Sequence, residues 1–136
     1  MIQYVKLNKY KYRLIEDYDI QTIIKDVDVL TNYLHLRKSG LLTVFKGYAW
    51  DGPSGPTVDT KNFMRASLVH DVLYQLLRSG ELEQKYKGYV DTLMRKINIE
   101  DGMSKFRAWY TYLAVNKFGK KNAKIANSKK EIQIAP

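Results

Sequence analysis

The 136-residue sequence contains no cysteine and only two histidines, His35 and His70. The first absence excludes a disulfide framework, a thiolate nucleophile, an iron–sulfur cluster and a cysteine-ligated zinc site. The second excludes a three-histidine metal centre. No stretch approaches the roughly 18 consecutive apolar residues of a transmembrane helix. Met1 to Lys6 carries charge and tyrosine where a signal peptide would hold an uninterrupted apolar run. A reducing cytosol, or a particle packaged from one, is therefore the expected setting. Repeats, low-complexity tracts and Pro/Ser linkers are lacking as well, so a single globular domain over residues 1–122 is expected, followed by a basic tail over 123–136.

What is present fits a folded domain. The chain is 45% hydrophobic and 27% charged, ordinary globular values, and a domain of this size hides roughly 68% of its unfolded surface. The net charge is +9, and residues 117–136 supply +5 of it through six lysines against one glutamate. Such a tail either binds a phosphate-rich partner through counterion release or is a solvated, frayed end. It has no aromatic residue after Phe118, so the stacking platform of single-strand binders is missing and nucleic acid is the weaker partner.

Strand formers cluster before residue 60, at 10–15, 20–24, 33–37 and 41–46. The last two flank Lys38-Ser39-Gly40, which predicts a β-hairpin, with His35 a surface or cross-strand residue. After residue 60 the period becomes helical. Phe63, Ala66, Ser67, His70, Tyr74 and Leu77 share one face of a first helix that Ser79-Gly80 ends. A second helix is expected from about 84 to 97, and a third from about 104 to 117 with Phe106, Trp109, Tyr110, Leu113 and Val115 as its apolar load. The fold class is α+β: an N-terminal antiparallel sheet or hairpin followed by three helices, with a packed His–Asp helix pair.

Two places carry candidate chemistry. Residues 47–60 join the halves, and two glycines and two prolines within Asp51–Pro56 force a defined turn path, neither strand nor helix. That path either aims backbone groups at a fixed point or simply crosses from sheet to helix. The second place is His70-Asp71 in mid-helix. Adjacent helical side chains diverge by about 100°, so the two cannot both face the core. Asp91, on the next helix, comes beside His70 if the two helices pack antiparallel. A histidine held by a carboxylate is a minimal general base, and a second carboxylate at Asp71 suits a hard cation; the alternative is a satisfied buried histidine. Arg65 either pairs with Asp59 or Asp51 to hold the loop or contacts a substrate anion. Trp50 and Trp109 are expected as core or rim anchors.

The ordered series Gly47-Tyr48, Asp51 to Pro56, Arg65-Ala66 to Tyr74, Asp91, Arg107-Ala108 and Val115 to Gly119 resembles the phage and prophage family called domain of unknown function 1353. Lys87 stands where that pattern leads one to expect arginine. The resemblance implies a phage setting, in host cytoplasm or virion, without an activity. Locally, Tyr48 to Tyr74 resembles the calcium loop and catalytic helix of phospholipases A2, with His70, Asp71 and Tyr74 matching and Ala66, Ser67 and Leu73 in place of cysteines. That second resemblance implies a catalytic group of His70, Asp91 and Tyr74, in which His70 is the water-activating base and Asp91 its orienting partner. It further implies Asp71 as a calcium ligand, with carbonyls of Trp50, Gly52 and Ser54 beside it. Two functions follow: a small phage hydrolase acting on phospholipid or another acyl bond, or a non-catalytic virion or accessory protein that keeps the helix pair for packing against other virion proteins.

Overall fold

The computed structural model describes residues 1–7, 11–52 and 61–123, with side chains through Asn116. It is α+β, antiparallel strands followed by three helices, and divides into two compact units, one holding Met1–Asp51 and one beginning at Gly52. The basic tail and most of the 51–60 loop lie outside the described residues.

The first unit has two sheets. In one, β1 (Tyr4–Lys6), β2 (Tyr12–Leu14) and β7 (Ala49–Trp50) run in that order. In the other, the order is β3 (Tyr18–Gln21), β6 (Leu41–Val44), β5 (Leu34–Leu36) and β4 (Val29–Leu30). All pairings are antiparallel. The predicted hairpin is β5–β6, with Leu34 opposite Val44 and Leu36 opposite Leu42. Leu34 and Leu36 are buried on one face and His35 is half-buried on the other, as the two-residue period requires. Gly40 closes the turn at φ 93°, where a Cβ would collide with the carbonyls of Thr22 and Ile24. His35 faces Thr43 across the strands and meets Asp28 Oδ1 at 3.0 Å, a partner seven residues upstream.

Two expectations need correction here. The strand expected at 20–24 lies earlier, at Tyr18–Gln21. Thr22 leaves the ladder because its hydroxyl donates to the Gly40 carbonyl and accepts from the Ile24 amide. The 47–60 segment, expected to be free of regular structure, contributes β7: Trp50 pairs with Tyr12 and packs its ring among those of Tyr4, Tyr12 and Tyr48.

The second unit is helical. α1 (Lys61–Ser79), a single 3₁₀ turn (Gln84–Tyr86), α2 (Lys87–Glu100) and α3 (Lys105–Ala123) follow one another. α1 packs on α2, α2 on α3, and α1 also touches α3. The predicted face of α1 is buried throughout, and so are Met64, Leu68, Val69, Val72, Leu73 and Leu76, so this helix is enclosed on several sides. Both α1 and α2 stop at a left-handed glycine. Gly80 (φ 80°) returns its amide to Leu77, and Gly102 (φ 99°) returns its amide to Ile99, with buried Leu82 and Met103 closing each end. Ser104 starts α3 by accepting the Arg107 amide on its hydroxyl. α3 runs past the expected end near 117, since nothing stronger than one glycine opposes it. Its expected apolar load is a further correction: Phe106, Trp109, Tyr110 and Leu113 are exposed.

Candidate functional site

Asp91 has no exposed surface, and four described side chains meet around it. Antiparallel packing of α1 on α2 brings His70 and Tyr74, one turn apart on the buried face of α1, to the same carboxylate oxygen. His70 Nε2 lies 2.8 Å from Oδ1, and the Tyr74 hydroxyl donates to it at 2.6 Å. Oδ2 accepts from Lys87 Nζ at 2.8 Å and from Asn116 Nδ2 at 3.2 Å. Lys87 Nζ also donates to the Asn116 carbonyl at 3.3 Å. One carboxylate thus collects donors from three helices.

The electrostatics follow from that saturation. Burial alone would push the Asp91 carboxyl up. The bonds from His70, Lys87 and Tyr74, with the charge of His70, outweigh it and hold the group below its ordinary value. The Tyr74 phenol moves well above its ordinary value of 10.0, first through burial, then through its bond to Asp91 and the carboxylate charge. Tyr74 is therefore a neutral donor and Asp91 an ionised acceptor. A neutral His70 must then carry its hydrogen on Nε2, which leaves the lone pair on Nδ1. The Tyr74 ring lies 4.0 Å from the imidazole, tilted by 34°, and fixes the ring plane. His70 keeps 11% of its side-chain surface exposed, against none for Asp91.

The structure thus gathers the candidates His70, Tyr74 and Asp91. It adds two residues the sequence reading missed as site members. Lys87 sits four residues before Asp91, an ion-pair spacing visible in sequence. Asn116 approaches from α3 and has no such signal. Asn98, two turns beyond Asp91 on α2, is fully buried, and its amide oxygen and nitrogen have no hydrogen-bond partner among the described residues.

Other candidates are placed elsewhere. Arg65 binds Asp101 through both carboxylate oxygens at 3.0 Å and Glu100 at 2.9 Å, clamping the start of α1 to the end of α2. Its expected pairing with Asp59 falls outside the described residues, as do Asp59 and Ser54 themselves. Trp50 is buried in β7, Asp51 is exposed and Gly52 takes φ 78°. Asp71 is half-buried on α1. Among the described residues no group of three or more histidine and carboxylate side chains gathers to hold a metal.

Residues 27–115, more than half of the chain, match the family described as Protein of unknown function (DUF1353). The chain belongs to this family. No curated protein and no solved structure matches it. The matched span of this DUF1353 chain takes in His70, Tyr74, Lys87 and Asp91 and stops one residue short of Asn116. The family brings no activity with it, and the phospholipase A2 likeness rests on the residues alone.

Proposed function

We propose that this DUF1353 protein is a hydrolase of acyl esters, with His70 as general base and Asp91 as its orienting partner. The observation that carries the reading is the saturated carboxylate. With four donors on Asp91, the tautomer of His70 is defined and Nδ1 is the basic nitrogen. In the reaction, Nδ1 takes a proton from water as the water oxygen attacks the acyl carbon. The ester C–O bond then breaks, and the imidazolium returns the proton to the departing alkoxide, giving acid and alcohol. Asp91 stays ionised and stabilises the imidazolium between the two transfers. Tyr74 and Lys87 hold Asp91 in place. A cation beside Asp71 would polarise the ester carbonyl, but the reading does not require one. A phage setting, in host cytoplasm or virion, belongs to the same proposal.

The test is hydrolysis of a chromogenic acyl ester and of phospholipid by the whole chain. His70→Ala is expected to lower turnover by about 10²–10⁴-fold. Asp91→Asn should lower it through the wrong tautomer, with the helical circular dichroism retained. Wild-type protein without hydrolytic activity, or a His70→Ala variant with undiminished activity, removes this reading. A second reading is favoured by the complete burial of Asp91: the cluster is a packing node of a virion or accessory protein. It predicts that the same substitutions lower stability alone.

A further inference from the structure

The first two turns of α3 present an apolar face to solvent. Phe106 is 75% exposed, Trp109 45%, Tyr110 50% and Leu113 42%, and their spacing of three, four and seven residues places them on one side of the helix. Phe106 and Trp109 touch through their rings, 6.3 Å between centroids. The opposite side is committed to the fold: Ala108 and Thr111 are buried, and Arg95 of α2 lies over the Tyr112 ring at 5.7 Å. An exposed run with Phe, Trp, Tyr and Leu together on one helix is a surface that asks for a cover.

Charge identifies the cover. Lys105 opens the helix, exposed, and Lys117, Lys120 and Lys121 follow Leu113 at four-, seven- and eight-residue spacing while the backbone is still helical. The neighbouring acids, Glu100 and Asp101, are occupied by Arg65. The whole chain is at +9, so a second copy would meet like charge, whereas an anionic surface meets opposite charge. The segregation matters too. Aromatic and aliphatic residues come first and lysines after, which suits apolar insertion beside a headgroup layer. A nucleic-acid platform interleaves bases with rings and finds no use for Leu113. Tyr110 and Trp109 each have an apolar body and a polar tip, the side chains that settle at a lipid–water boundary. No helix among the described residues is long and apolar enough to cross a bilayer, so the contact is a lying-on one.

We propose that α3 docks the protein on an anionic phospholipid bilayer, with Phe106, Trp109, Tyr110 and Leu113 entering the interface and Lys105 at the headgroups. This stands apart from the chemistry at His70. The experiment is co-sedimentation of the full chain with vesicles of phosphatidylcholine alone and of equimolar phosphatidylcholine and phosphatidylglycerol, at low and high salt. Binding is expected to the anionic vesicles and to weaken with salt. Trp109 emission should shift to the blue on binding. Trp50, already buried, contributes no shift, so Trp109→Phe should bind but lose the spectral change. The double variant Phe106→Ser, Leu113→Ser should bind at least about tenfold more weakly with unchanged thermal unfolding. His70→Ala should bind as wild type, which separates this test from that of the hydrolase reading. Absence of binding, or equal binding to both vesicle types, overturns the proposal. So does a dimer that the double variant splits, which assigns the face to a second copy, and so does preferential binding of a single-stranded oligonucleotide.

Discussion

Asp91 and Asp101 both tie α2 to α1, Asp91 through His70 and Tyr74 and Asp101 through Arg65, but their surroundings differ. Asp91 is sealed from solvent and meets four donors drawn from three helices. Asp101 caps α2 at the surface and shares Arg65 with Glu100, whose side chain is half exposed. Water screens the second tie and contributes to it, so removing a partner there leaves groups that solvent can satisfy. Nothing replaces a missing partner at Asp91. A carboxylate is therefore a dispensable clamp in one place and an obligatory node in the other.

That contrast is sharpest for deletion of the carboxylates. Asp91→Ala should lower unfolding free energy by about 3–5 kcal/mol, because His70 and Tyr74 lose their acceptor and Lys87 keeps only the Asn116 carbonyl; urea denaturation measures it. Arg65→Ala should cost about 1 kcal/mol or less by the same method. Equal losses at the two sites would erase the distinction between them.

Acid sharpens the comparison next. Asp91 has a folded-state pKa below its ordinary 3.8. Its contribution is thus complete above that value and is lost as pH falls through the lower folded value. Lys87→Met removes one donor and raises the folded value, so the stability lost on acidification becomes smaller and begins from a lower starting level. Urea midpoints taken from about pH 6 to pH 2 would show this. A profile unchanged by the substitution would show that Lys87 does not act on the carboxylate. At the alkaline end the sign reverses. Tyr74 is raised, so its contribution is complete below 10.0 and declines as pH rises beyond it. Tyr74→Phe removes that decline and, at neutral pH, should lower stability by about 1 kcal/mol.

How much of this was legible in the sequence depends on the distance over which each signal acts. The buried face of α1 was legible because six residues repeat at helical spacing, and a sixfold pattern is hard to mistake. His70 and Asp91 were legible as partners once two consecutive helices were assumed to pack antiparallel. Lys87 was noticed only as a departure from an expected arginine, although its spacing from Asp91 already held the ion pair. Asn116 was not legible, since its approach depends on the crossing of α3 over α2. Strands of two or three residues, such as β4 and β7, show no period at all. Phe106 to Leu113 read as core because periodicity reveals that a helix has an apolar side, not whether the fold covers it. Arg65 found Glu100 and Asp101 because α2 continues three residues past its expected end at Ile97.

Asn98 has a consequence for mutational robustness. A fully enclosed amide with neither atom bonded among the described residues is a held-back margin, for an apolar side chain of similar shape in its place loses no hydrogen bond there and gains contact. Asn98→Leu is expected to raise the melting temperature. In that background, substitutions that would otherwise drop the chain below its folding threshold become tolerable. The helical unit thus carries, two turns from its most demanding carboxylate, a position from which tolerance to change elsewhere can be increased.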